Sequence, residues 1–174
     1  MKKSDIKVQP EYFERYINLL EDMRLSEAMD KYGKNLFEND KEKLISAGDK
    51  VYAPGKWTVK DILQHLIDTE RIFNYRALRF ARNDNTILPG FEQDDYAKVS
   101  NANKRSLDEL LNELEAVRRA SIILFESFDD EMLLREGICF DKNISVLAIG
   151  FVIAGHTLHH VNVIKEKYLT LINY

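Results

Sequence analysis

Hydrophobic residues recur every three to four positions along most of this chain, the period of an amphipathic helix. The clearest stripe is Val59, Ile62, Leu63, Leu66, Phe73, Ala77 and Phe80. It predicts a helix from Thr58 to about Asn83, and Thr58 with Asp61 has the spacing of a capping box, with Asp in place of the usual Glu or Gln. A second stripe, Leu107, Leu110, Leu111, Leu114, Val117 and Ile122, predicts a helix to about Phe128, opened by a Ser106/Glu109 capping box. Weaker patterns predict a short helix over Glu11 to Glu21 and a longer one from Leu25 to Ser46, ending near Gly48. After a turn or short helix around Asp130 to Arg135, a last helix runs to about Tyr168, with Asn143 as its expected N-cap.

Breakers are few and clustered, at Ala53-Pro54-Gly55 and Leu88-Pro89-Gly90. The class expected is therefore all-α: one four-helix bundle over residues 1–174, its core at about 20–170. The segment from Asn83 to Lys104 is a polar connection of unusual length for such a bundle, and long connections are often functional. The longest apolar run, Ile144 to Gly155, is about a dozen residues against the ~20 that span a bilayer, so it reads as a buried helix and no membrane is expected.

The 174 residues, 45% of them hydrophobic, suffice for a sizeable core. A net charge of −4 with interspersed signs argues against nucleic acid as a partner. The single cysteine, Cys139, permits no internal disulfide and reads as a small buried hydrophobe. Met1-Lys2-Lys3 has no apolar core behind it and is not a signal peptide, so a reducing cytoplasmic setting is expected.

Chemistry concentrates in the histidines. Three of the four lie in Gly155-His156-Thr157-Leu158-His159-His160. Residues four apart on a helix leave the same face, so His156 and His160 form one pair, on a rail with Ile149, Val152, Ile153, Val163 and Ile164. His159 shares a rail with Asn162 and Glu166 and falls outside the site or at its edge. His65 faces the core or its border from the Thr58 helix and can supply a third nitrogen. Three protein ligands and an open position make a catalytic zinc-type site. Asp61 and Asp68, at −4 and +3 from His65, are candidates to orient its ring, although Asp61 is also the capping acid.

The ordinary reading stands beside this one. A histidine on an apolar face is more often a hydrogen-bonded core residue, and His-x-x-x-His pairs recur by chance. There is no Cys-x-x-Cys, no His-Glu-x-x-His, no glycine-rich phosphate loop and no Gly-x-Ser-x-Gly turn. Arg71, Arg76, Arg79 and Arg82 are candidates for holding an anionic substrate, but a solvated face is the default. Trp57 either packs the loop onto the bundle or lines a pocket.

The segment from Ala53 to Arg71, with Leu88-Pro89-Gly90-Phe91 and Gly155-His156-Thr157-Leu158-His159-His160, closely resembles the signature of the DinB/YfiT-like superfamily over roughly residues 20 to 170. The resemblance implies a four-helix bundle with a crossover connection, often a homodimer. It also implies a divalent metal, zinc or nickel, held by His65, His156 and His160. Characterised relatives activate a low-molecular-weight thiol, as in bacillithiol and mycothiol transferases and maleylpyruvate isomerase. The first expectation is thus a metal-dependent thiol S-transferase acting on a small-molecule substrate, with Asp68 orienting His65. A metal-dependent hydrolase, with Asp68 or Glu70 as base, is the second. The third is a non-enzymatic, stress-related metal-binding bundle whose site is closed by His159.

Overall fold

The computed structural model describes residues 1–33 and 35–171. Its helices are α1 (Glu14–Ile17), α2 (Leu25–Lys31), α3 (Asn35–Glu38), α4 (Lys41–Ala47), α5 (Val59–Ala81), α6 (Gln93–Val99), α7 (Leu107–Glu126), α8 (Asp130–Leu134) and α9 (Val146–Val163). A π-helical turn, Ile164–Tyr168, prolongs α9. One antiparallel hairpin, β1 (Glu136–Cys139) and β2 (Lys142–Ser145), precedes it.

Both predicted capping boxes form. Thr58 Oγ1 accepts from the Asp61 amide at 3.1 Å while Asp61 accepts from the Thr58 amide at 2.9 Å. Ser106 and Glu109 reciprocate at 3.2 and 2.7 Å. These boxes satisfy amides that have no partner inside the helix and so fix where α5 and α7 begin.

Three expectations are corrected. The single helix from Leu25 to Ser46 is broken into α2, α3 and α4. Asn143 is no N-cap: it lies in β2 and donates to Glu136 at 2.6 Å, and the cap is Ser145, which accepts from the Ala148 amide at 3.1 Å. The hairpin itself lacked a usual signal. Its two turn residues, Phe140 and Asp141, have φ of 53° and 57°, a left-handed pair for which Asn-Gly is the familiar sequence.

The long connection proves to be a crossover. Contacts between α5 and α7 advance together along both helices: Gln64 with Arg105, Glu70 with Arg118, Asn74 with Ser121. The two helices are therefore parallel. A 23-residue α5 is about 34 Å long, and the chain must retrace that length before α7 can start beside Thr58. Helix α9 runs the other way, from the hairpin near Phe80 to Tyr168, whose hydroxyl donates to the Trp57 carbonyl. The α1–α2 segment closes the fourth side against α9 and α7. By length and composition Val146–Leu171 is apolar enough to cross a membrane, but 72% of its apolar window is buried in the bundle, as a core helix is.

The core is two apolar clusters. One gathers Phe73, Ala77 and Phe80 of α5 with Phe125 and the first half of α9. The other gathers Val59 to Ile67 of α5 with Leu107 to Val117 of α7 and with Val161, Ile164 and Tyr168. Between them a belt of buried polar residues crosses the bundle: His65, Thr69, Glu70, Arg118, Ser121, His156 and Thr157.

Candidate metal centre

Two of the belt's histidines, with His160 one turn further on, converge at the seam of α5 and α9. His65 and His156 are each 6% exposed, and His160 is half-buried. Nε2 of His156 lies 3.2 Å from Nε2 of His65 and 3.1 Å from Nε2 of His160. The three ligand atoms all fall within 4.8 Å of one another. Three nitrogens bound at 2.0–2.1 Å around a tetrahedral ion stand about 3.3 Å apart; the two distances from His156 match that spacing, and the third pair lies within 4.8 Å.

A neutral imidazole has one N–H, so protons alone satisfy this cluster poorly. Burial pushes His65 down to about 4, with a further push from His159. Burial and then the neighbouring histidines hold His156 and His160 well below the ordinary imidazole range. All three rings are thus neutral near pH 7, the form that offers a lone pair to a metal.

The surroundings fix ring orientation. His65 Nδ1 faces Thr69 Oγ1 at 3.3 Å, one turn along α5. Asp68, the expected partner, is not there: at +3 it turns away from the ring and accepts from Gln64 Nε2 at 2.9 Å. Asp61 is occupied by its cap and by Asn103. Trp57 packs on His65, ring centroids 4.8 Å apart, which is where its loop docks. Tyr16 stands edge-on to His156 at 5.0 Å and to His159 at 5.4 Å. That contact depends on Gly155, where an added Cβ would lie 2.2 Å from the Tyr16 carbonyl oxygen. His159 lies outside the cluster, as its rail implied. Among the described residues His160 Nδ1 has no hydrogen-bond partner.

Glu70, nominated as a base, is a structural residue. At 3% exposure it accepts from Arg118 at 2.8 and 2.9 Å and from Ser121 Oγ at 2.5 Å. Arg118 also donates to the carbonyls of Met29 and Tyr32 and to Thr157 Oγ1, at 2.8 to 3.0 Å. This knot joins α2, α5, α7 and α9 beside His156.

A cavity of about 210 Å³ opens from His65 and His156. Its walls are Tyr12, Phe13, Tyr16 and Phe73, and its rim is Phe91, Glu92 and Gln93 from the crossover with Phe140 from the hairpin. The crossover is pinned there because Leu88 bonds to the hairpin, its amide to the Ile138 carbonyl at 2.9 Å and its carbonyl to the Phe140 amide at 3.3 Å. Gly90 leaves room for the Phe140 ring, which a Cβ would meet at 2.4 Å. Arg76 also lines the cavity and is only 4% exposed, against the expectation of a solvated arginine face. Arg71 is exposed and paired with Glu113, while Arg79 is half-buried and paired with Asp84. Thr69, a turn from His65, was legible in principle; Tyr16 and Phe140 were not, because only tertiary packing brings them here.

No curated protein matches the chain. Among solved structures it is similar to YfiT from Bacillus subtilis, described as a probable metal-dependent hydrolase with an unusual four-helix bundle topology. The two share 18% identity and superpose with a TM-score of 0.67 over 92% of this chain and 88% of that one. The model of the DinB superfamily matches residues 13–164, and the chain belongs to that superfamily.

Proposed function

We propose that His65, His156 and His160 hold one divalent metal and that the protein is a metal-dependent enzyme transferring a small thiol to an electrophile. The observation that carries the metal is the convergence of three neutral imidazole nitrogens, with two of the three residues, His65 and His156, lining an open cavity. A closed structural site would have a fourth protein ligand, and the fourth histidine, His159, stays out of the cluster. When bound, a metal with an open position lowers the pKa of a thiol or water there.

The chain's own residues do the rest. With Nε2 given to the metal, His65 Nδ1 would carry the ring's proton and donate it to Thr69 Oγ1, 3.3 Å away. Tyr16 and Trp57 wall the histidines from bulk water. The aromatic cavity receives the electrophile's apolar body. Thiol transfer is preferred because hydrolysis calls for a general base and the two acids nominated for it are engaged, Asp68 by Gln64 and Glu70 by Arg118. Hydrolysis remains the second reading on one observation: Glu92 is an exposed carboxylate on the cavity rim. The similarity to YfiT supports metal dependence of either kind.

The first test is elemental analysis of tag-free protein beside His156→Ala. About one equivalent of zinc or nickel per chain, lost in the variant, is expected. Metal-dependent thiol consumption with a haloarene or epoxide should then follow. Wild-type protein that stays metal-free after incubation with both ions removes the proposal. Thiol inertness with ester or amide turnover that fails in Glu92→Gln moves it to hydrolysis.

A further inference from the structure

Among the described residues Arg76 is a buried cation with no carboxylate paired to it. It is 4% exposed, and among the described residues it makes one hydrogen bond, Nη2 to the Pro89 carbonyl at 2.8 Å. Its guanidinium leans back over the Phe73 ring, 5.3 Å from the centroid. The one ionisable group among the described residues that acts on its charge is Cys139, whose thiol burial pushes up, so it stays protonated and supplies no negative charge. A guanidinium carries five N–H donors, and burying a charge is costly unless it is paired. Among the described residues Arg76 is also the only Lys or Arg lining the cavity.

We infer that Arg76 is the anion anchor of the cleft, and that the substrate or cosubstrate is a small monocarboxylate with an apolar body. The carboxylate meets the guanidinium fork; the body lies against Phe13, Phe73, Phe91 and Phe140. A monoanion suits the site better than a phosphate dianion, since one cation faces it and Glu92 on the rim would repel a second negative charge. Thr69, Phe73 and Arg76 follow His65 at helical spacing on α5, so the anchor and the histidines stand at two ends of one face, about 16 Å apart by residue count. A carboxylate held at Arg76 therefore points the remainder of an extended molecule toward the histidines. That last step rests on the metal reading above; the anion site does not.

The probe is 4-phenylbutanoate against 4-phenylbutanamide, titrated by calorimetry into metal-loaded and chelated protein, wild type beside Arg76→Gln and Arg76→Lys. The acid should bind at least tenfold tighter than the amide in both metal states, with the preference lost in Arg76→Gln and partly kept in Arg76→Lys. In wild type, the arginine side-chain NMR signal that is absent from Arg76→Lys should shift with the acid and not with the amide, a readout that survives even if Arg76→Gln fails to fold. A preference that disappears on chelation but persists in Arg76→Gln puts the acid on the metal, overturning the anchor and leaving the metal intact. Equal binding of acid and amide in both states also overturns it. A preference kept by protein that binds no metal upholds the anchor while the metal reading fails.

Discussion

Replacing Arg118 by Met tests whether the buried knot, rather than the apolar clusters alone, holds the bundle together. Met roughly preserves the apolar stem but removes the charge and every donor. Glu70, 3% exposed, would be left as a buried carboxylate with only Ser121 Oγ, and the carbonyls of Met29 and Tyr32 would lose their Arg118 donors. Removing one member of a buried ion pair costs about 3–5 kcal/mol. That is a large part of the 5–15 kcal/mol typical of a domain. Glu70→Leu alone should cost a similar amount by stranding the guanidinium. The pair Arg118→Met with Glu70→Leu leaves no buried charge, only the two carbonyls without their Arg118 donors, since Ser121 keeps Asn74 and Val117 and Thr157 keeps Ile153, so its loss should be well below the sum of the singles, with a coupling of at least about 2 kcal/mol. Urea titration of chelated protein, followed by helical circular dichroism, measures all three. A single-variant loss under about 1 kcal/mol, or losses that simply add, would refute the idea that charge compensation governs this contact.

Three further outcomes follow from the site. In chelated protein His65 is held neutral, with a pKa of about 4 against 6.5 for the exposed ring, so the unfolded chain takes up its proton first as pH falls. Stability should drop between about pH 6.5 and 4, by roughly 3 kcal/mol from this residue; if urea midpoints fall as steeply in His65→Gln as in wild type, the assignment is wrong. Gly155→Ala drives a Cβ to 2.2 Å from a backbone oxygen of Tyr16, so about 1–3 kcal/mol of overpacking should outweigh the gain of up to ~1 kcal/mol in helix propensity; a variant as stable as wild type by thermal melting would contradict the close approach. His159→Ala should keep its equivalent of metal by elemental analysis, and metal loss would mean that His159 closes the site.

How much of this was legible in the sequence depended on whether a signal was local. Helical periodicity and two capping boxes located α5 and α7 to within a few residues, because amphipathic spacing and cap chemistry act within one or two turns. His156 and His160 fell on one rail for the same reason. The breaks in the Leu25–Ser46 segment were lost because its polar and apolar residues continue a tolerable helical pattern through Tyr32-Gly33. The hairpin was lost because Phe140 and Asp141 adopt left-handed backbone without the usual Asn or Gly. Arg76 was misjudged for a related cause: its neighbours Arg79 and Arg82 suggest a wet face, and only the folded crossover, bringing Pro89 over the helix, buries it. The partner of His65 was sought among acids, whereas position +4 holds a threonine hydroxyl.

The polar belt explains why the site and the fold are hard to separate. A purely apolar seam between α5 and α9 could slide by a turn with little loss, since one aliphatic side chain resembles the next. The Glu70–Arg118 pair forbids such a slide between α5 and α7, because a one-turn shift there would bury two unpaired charges, and Arg118 carries that register on to α9 by donating to Thr157 Oγ1 at 3.0 Å. Glu70 lies five residues from His65 on α5, and Thr157, bonded to Arg118, is the neighbour of His156 on α9. The register set by the chain Glu70–Arg118–Thr157 is therefore the register in which His65 Nε2 lies 3.2 Å from His156 Nε2. Three mutually desolvated imidazoles are themselves unfavourable, so their arrangement is imposed by the knot, by Gly155 against Tyr16 and by the caps. Metal affinity should accordingly fall in Arg118→Met even where helix content survives, because the ligands would lose their alignment and not their identity.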